Sequence, residues 1–421
     1  MTPGTDNPPR LPGPFLRLAH ANLAAQAAEQ ISLAAVPIVA VLALQAGPRE
    51  IGWLAAAQSL PFLLLSIPCG LLADSGSRRA LMIAGEALRT LAMLGLLLIT
   101  ATHSVSLPWL ALLGFLGATG TVAFTVAAPA LVPRLVAPAD LGRANGRLEL
   151  ARSLAFAGGP ALAGALVAWA GAPGAFVLAS VLATAAVAWL ASMPADHAPA
   201  QPAQAARRPL AELGEGMRFV WQHRLLRPIL LCAVIWNISW LVLQAAYVPH
   251  AMTRLGLGAS GVGVTLALYG VGMVLGAMLS PCLMRRLPFG TVILIGPAIS
   301  VLAGGLMAAS AFWPQPALAG LSFFCFGAGP IVWTVSTTTL RQTVTHNQRL
   351  GRVGALFLTA NAGARPLGAA LGALVGTWLG DGPAMTACLL IAAGGYGLQL
   401  LTITLSDVRT LKALPPRADE A

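Results

Sequence analysis

Histidines aside, only two ionisable side chains are expected to lie deep, each about a dozen residues into its helix from the more basic end. Glu29 lies in "ANLAAQAAEQISLAAVPIVAVLAL" (21–44), and Arg365 lies in "GALFLTANAGARPLGAALGALV" (354–375). At 1.5 Å per helical residue, a dozen residues is roughly 18–20 Å, near the middle of a bilayer. An ionisable group there costs roughly 2.5–3.5 kcal/mol on insertion scales, so it is kept for a reason. Gln26 and Gln30 share the helical face of Glu29, and Asn361 stands one turn before Arg365. Three roles fit Glu29: a proton carrier, a contact for a cationic substrate, or a static partner of Arg365 or of backbone carbonyls. A face this polar in a first helix predicts a wet cavity.

A second concentration of charge is "GLLADSGSRRALMIAGEALR" (70–89), which holds Asp74, Arg78, Arg79, Glu86 and Arg89 in a chain that is only 9% charged. Glu86 and Arg89 are three residues apart and share a helical face. Asp74 can accept hydrogen bonds from helix N-termini or arginines, and the tight turn after it is expected to need Gly76. The arginines Arg78 and Arg79 either join that network or simply anchor the chain's orientation.

The elements that carry these groups follow from composition. The chain has 421 residues and is 57% hydrophobic, with a mean hydropathy of +0.78. A water-soluble fold could not bury that much apolar surface. Twelve apolar stretches are centred near residues 30, 62, 92, 121, 157, 183, 239, 271, 300, 329, 366 and 393. Their length and lack of two-residue alternation predict membrane helices rather than barrel strands. The start, "MTPGTDNPPRLPGP", precedes an apolar run without a small-residue cleavage site, so no signal peptide is expected.

Alternate gaps between the stretches collect 22 of the 25 lysines and arginines and 11 of the 14 acids. Basic loops face the cytoplasm, which predicts both termini there and a multi-pass protein of the plasma or inner membrane. The excess charge of +11 thus marks orientation and anionic lipid headgroups; no nucleic-acid-binding module accompanies it. Cys69, Cys232, Cys282, Cys325 and Cys388 are dispersed in apolar runs and make no metal clip.

The chain repeats itself. Leu141-Gly142-Arg143 returns as Leu350-Gly351-Arg352, and Trp169 and Gly171 return as Trp378 and Gly380, all 209 positions later. Two parallel six-helix halves follow, spanning 1–193 and 226–406, with a linker at 194–225 and a tail at 407–421. Within the linker, Leu210, Leu213, Met217 and Val220 share one face, which predicts an amphipathic helix along the headgroups or a plain solvated connector.

Twelve helices in two halves resemble the major facilitator superfamily. Gly70, Asp74, Gly76, Arg78 and Arg79 are similar to its signature between the second and third helices. Gly146, Gly159, Pro160 and Gly164 resemble its antiporter motif in the fifth helix, although Ala155 and Ala163 replace expected glycines. The stretch 129–167 looks most like the drug- and siderophore-exporting branch, which includes macrolide and enterobactin exporters. The resemblance implies an all-α major facilitator fold that works by alternating access. It also implies a cavity lined by the first, fourth, seventh and tenth helices. On those helices stand Asn237, Trp240, Gln244 and Tyr247, with Phe326, Trp333 and Thr337 on the tenth. Asn237, Trp240, Gln244 and Trp333 join Gln26, Gln30, Asn361 and Arg365 as the substrate-cavity set, against the alternative of ordinary helix packing. The signature residues, with Glu86 and Arg89, would form the gate. The fourth helix lacks the arginine motif of many proton-coupled exporters, and the second-half signature is worn down to "LSPCLMRRLPFG" (279–290).

No phosphate-cradling loop is present, and the single lysine, Lys412, stands in the tail. ATP is therefore not the expected energy source. The six histidines are scattered, with no enzyme motif. The expectation is a non-enzymatic, proton-driven efflux antiporter for amphipathic small molecules, associated with drug resistance, without a cofactor or metal, and monomeric. An uptake carrier for a small metabolite and a transport-dead receptor or scaffold are the other readings.

Overall fold

The computed structural model describes residues 11–137, 140–195, 209–345 and 347–415. Within them, the side chains of residues 74, 75, 130, 142, 209–213, 347–352 and 355 are outside the description. The side chain of Asp74, those of Leu210 and Leu213, and the Pro/Ala-rich part of the linker therefore lie outside the described residues.

The described chain is helical throughout. The helices are α1 (Gly13–Leu44), α2 (Pro48–Ser75), α3 (Arg78–Ala101), α4 (Leu107–Leu135), α5 (Leu141–Ala191) and α6 (Pro209–Gln222). They continue with α7 (Leu226–Thr253), α8 (Ala259–Arg286), α9 (Phe289–Ala309), α10 (Pro316–Val344), α11 (Asn347–Leu379) and α12 (Asp381–Thr404). Ten of these are long and apolar enough to cross a membrane. α5 has 51 residues and turns back at Gly171, so it supplies two crossings. α11, which carries Arg365, is a further helix of 33 residues. The total is twelve crossings.

Gly171 has φ 73° and ψ 177°, and Gly380, between α11 and α12, has φ 70° and ψ 164°. This backbone region is essentially closed to residues with a Cβ. The sequence repeat of Trp169 and Gly171 in Trp378 and Gly380 is thus a repeat of one reversal. Both tryptophans project outward, 85% and 75% exposed, as interfacial anchors do.

α1, α2, α3, α4 and α5 pack on one another, as do α7 to α12, and the two groups meet along α5 with α8 and α2 with α11. Those seams are built from small residues, which let helix backbones approach where lipid offers no hydrophobic drive. A Cβ on Gly164 would strike Gly263 and the Ala259 carbonyl, and one on Gly52 would sit 2.6 Å from Ala373 N. Gly376 is pressed in the same way against Arg49. These contacts lie where α2 and α8 begin and α11 ends, on the face away from the termini. Toward the terminal face, Cβ atoms at Gly146, Gly158 and Gly354 would meet no described atom within 4 Å. Among the described residues, the backbone-close contacts between the halves gather at the face away from the termini and at mid-depth, where Gly270 meets Ala157.

At the terminal face, α6 buries Gly216 and Val220, and Val220 packs with Ile229, Phe289, Leu340 and Phe357. Of the predicted apolar face, Val220 is thus turned into the protein, while Met217 is exposed. The tail folds back so that Leu411 O accepts from Gly290 N at 2.8 Å and Lys412 O from Phe289 N at 3.3 Å. Two orphan donors at the start of α9 are thereby satisfied.

Gly171→Ala and Gly380→Ala are each expected to cost about 1–3 kcal/mol of stability, from backbone strain. Gly146→Ala, in open helix, should be neutral or slightly stabilising. Thermal unfolding of the purified variants in detergent checks the contrast.

Candidate functional site

A cavity of about 530 Å³ lies between the two groups of helices, a size suited to a small organic ligand. α1 presents Gln26, Glu29 and Gln30 to it, with Gln58 and Phe62 from α2 and Thr121 from α4. α7 presents Trp236, Asn237, Trp240 and Gln244 from the opposite wall, joined by Tyr269 of α8 and Phe323 of α10. Spacings of three and four put the α7 residues on one helical face. Trp236 and Trp240 stack with ring centroids 5.3 Å apart and planes 9° apart. Trp240 also meets Tyr269 at 5.3 Å and Phe323 edge-on at 6.0 Å. One wall is thus amide and charge, and the other is aromatic.

The charges converge from different helices. Glu86 and Arg89 are 0% and 2% exposed and lie 3.0 Å apart. Arg89 Nη1 donates to Ala25 O of α1 at 3.0 Å, and Nη2 donates to Thr121 Oγ1 of α4 at 2.7 Å. Glu29 lines the same cavity from α1, where the charges of Arg89, Arg365 and Arg152 act on its carboxylate. Arg152 is held by Glu149 through a bidentate pair of 2.9 and 2.5 Å, and its guanidinium lies over the Phe156 ring. Arg365 lies over Phe62 of α2 at 5.2 Å, so an α11 cation stacks on a ring of the other half. Two of the three acids therefore have an arginine of their own. Glu29 faces the cavity within the field of those arginines.

The structure places the expected residues unevenly. Glu86 and Arg89 are not part of a network at the terminal face. Arg89 stands eleven residues into α3, roughly 16 Å along it, level with Glu29. The expectation that only Glu29 and Arg365 lie deep is therefore corrected. Arg79 caps the end of α5, with Nε to Leu190 O at 2.8 Å and Nη2 to Ala191 O at 2.5 Å. Arg17 reaches the adjacent Ser192 carbonyl. Cations there complement the helix dipole. Arg78 is buried at the start of α3.

Gly70 has open space, with only Val126 within reach of an added Cβ. Gly76 has φ −126°, which any residue adopts. Its turn does not require glycine through backbone conformation, although a Cβ would crowd Leu72 O at 3.1 Å. In the fifth-helix motif, Gly159 lets α5 cross the backbone of α1 at Gln30, and the Pro160 carbonyl meets Gly263 of α8. Gly164 is in the inter-half seam, and Gly146 is in open space.

Trp333 does not line the cavity. It packs into the terminal-face core of the second half, against Gly296, and α10 contributes Phe323 to the cavity instead. Phe326 is buried behind Trp240, Tyr247 is tied to Thr265, and Thr337 bonds its own helix at Trp333 O. Asn361 supports the wall, accepting from Asn237 Nδ2 at 3.4 Å. Arg152, Thr121, Trp236 and Tyr269 were not anticipated. The spacing of Trp236 beside Trp240 and Arg152 four residues before Phe156 are the signals that held them.

Residues 18–369 match the family described as the Major Facilitator Superfamily. The uncharacterized MFS-type transporter y4rN of Sinorhizobium fredii is 28% identical over 427 residues, covering 97% of this chain and 96% of that protein. The enterobactin exporter EntS of Shigella boydii is 28% identical over 356 residues, covering 83% of this chain and 81% of that one. Among solved structures, a mutant of the nucleoside transporter NupG superposes with a TM-score of 0.74 at 13% identity, over 93% of this chain and 99% of that chain. The match takes in both halves, the seams between them and most of the helices around the cavity; the chain belongs to the Major Facilitator Superfamily and is a secondary transporter, not an enzyme.

Proposed function

We propose that this transporter exports amphipathic small molecules, drug- or siderophore-like, in exchange for protons, by rocking the 1–193 and 226–406 bundles about the midplane cavity. The observation that carries the reading is Glu29. It is the cavity carboxylate without a close arginine of its own, while Glu86 and Glu149 are each paired at 3.0 Å or less. The name of the relative EntS supports the direction, and the aromatic wall of Trp236, Trp240 and Tyr269 supports a bulky, partly apolar cargo. With the basic terminal face in the cytoplasm, opening of the bundles at that face would load substrate from inside.

The charge balance supplies the switch. Glu29, Glu86 and Glu149 offset Arg89, Arg152 and Arg365 one for one. A proton on Glu29 leaves Arg365 without its counter-charge across the inter-bundle gap. In a low-dielectric cavity that difference is worth far more than in water. It falls between the bundles, so it biases one arrangement over the other. The stretch from Gly70 to Arg79, with Asp74 at its centre, would latch the terminal-face gate when the bundles close there.

In everted vesicles with an imposed pH gradient, wild type is expected to accumulate a lipophilic fluorescent compound. Glu29→Gln at matched expression should lose at least tenfold of that accumulation. Equal accumulation by the variant contradicts the coupling role, and accumulation only in right-side-out vesicles reverses the direction to uptake.

Arg89→Met should be strongly destabilising, by about 3–5 kcal/mol, because it strands the buried Glu86. Combining it with Glu86→Gln should recover most of that loss. Thermal unfolding in detergent reads both effects.

A further inference from the structure

A second pocket, of about 460 Å³, lies at the terminal face where α6, α7 and α12 meet, well away from the transport cavity. Its polar wall is Trp221, His223, Arg224 and Arg227, and its other side is Leu405 and Asp407. The Arg227 guanidinium carbon lies over the Trp221 ring, 4.9 Å from its centroid. His223 Nδ1 accepts from the backbone N–H of Leu225 and Leu226, at 3.2 and 3.4 Å. Burial also pushes its imidazole below the usual value. The cationic character of the pocket therefore comes from the two arginines, opposed among its lining residues by Asp407.

What lies below the pocket decides its ligand. Ile391, Gly394, Leu398 and Leu401 on α12, and Leu405 just past its end, are all exposed. Their spacings of three and four form one continuous apolar seam running from mid-helix to the pocket rim. On the other side, α6 exposes Met217 and Trp221 one turn apart, the pattern of a helix lying at headgroup level. A free anion would use the arginines but not the seam. An apolar ligand would use the seam but not the arginines.

We propose that this pocket binds the headgroup of an anionic phospholipid, with Arg224 and Arg227 on its phosphate and its acyl chains along the α12 seam. Basic pockets at membrane-helix ends on the cytoplasmic side take such headgroups. The site joins the linker helix α6 to the second bundle, so an occupied site would fasten the linker during rocking. It does not depend on the direction or the coupling of transport.

The test uses purified full-length protein in a non-ionic detergent. Phosphatidylglycerol, phosphatidylcholine and inorganic phosphate are titrated in turn, with lipid retention read by native mass spectrometry and stability by thermal unfolding. Phosphatidylglycerol should be retained and raise the unfolding midpoint, while the other two should not. Arg224→Gln with Arg227→Gln should lose at least fivefold of that retention, whereas Arg285→Gln, at the end of α8, should keep it. Asp407→Asn removes the opposing carboxylate and should strengthen retention, a result that misfolding cannot imitate. Equal retention of phosphatidylcholine overturns the proposal, as does unchanged retention in the double arginine variant. Equal stabilisation by inorganic phosphate would make this a soluble-anion site and also overturn it.

Discussion

An arginine side chain inside hydrocarbon has to be answered by the protein itself, because lipid offers no acceptor. Arg89 is answered by three helices at once: Glu86 on α3, the Ala25 carbonyl on α1 and the Thr121 hydroxyl on α4. That demand fixes how α1, α3 and α4 pack at mid-depth. It also brings the Arg89 guanidinium near enough to Glu29 for its charge to act on the cavity carboxylate. Where α4 itself has no deep arginine, α3 delivers one to the same level. The deep charges thus organise the first half while remaining close to the space where a substrate would sit.

The second constraint is steric. Glycines at 52, 164, 263 and 376 let the halves touch backbone to backbone on the face away from the termini. Contacts of this kind are short-range and shape-dependent, so they can separate as rigid surfaces without unfolding either half. Gly159 acts within the first half, where it brings α5 against α1 just beside Gln30. The antiporter-like stretch therefore serves two crossings on one helix, one static and one that would open. The aromatic wall on α7 and α8 completes the cavity from the second half, which makes the space sensitive to relative motion of the bundles.

Much of this was legible in the sequence because it rests on period and composition. Twelve apolar runs, the α6 helix and the twofold repeat follow from hydropathy and spacing, and the repeated Trp169–Gly171 and Trp378–Gly380 pairs correspond to one reversal with positive φ. Residues whose position is measured from a helix start were less legible. Glu86 and Arg89 sit near a loop in sequence, yet α3 begins at Arg78, and eleven residues of rise carry Arg89 to the midplane. Trp333 has cavity-like chemistry but the wrong azimuth, and one-dimensional spacing does not fix how a helix is rotated against its neighbours. The same limit hid Tyr269 and Thr121, whose roles depend on which helix faces them. Gly76 shows the converse: a turn beside charged residues reads as a glycine requirement, whereas its backbone is ordinary and extended.

Proton-coupled export by this route requires Glu29 to gain and lose a proton while Glu86 stays committed to Arg89. Infrared difference spectroscopy of the purified protein, titrated from about pH 4 to pH 9 across the range of perturbed carboxyls, tests this most directly. A protonated-carboxyl stretching band that titrates in wild type, shifts in heavy water and disappears in Glu29→Gln is the predicted result. A titrating band that survives Glu29→Gln unchanged would contradict it and move the proton to another carboxylate.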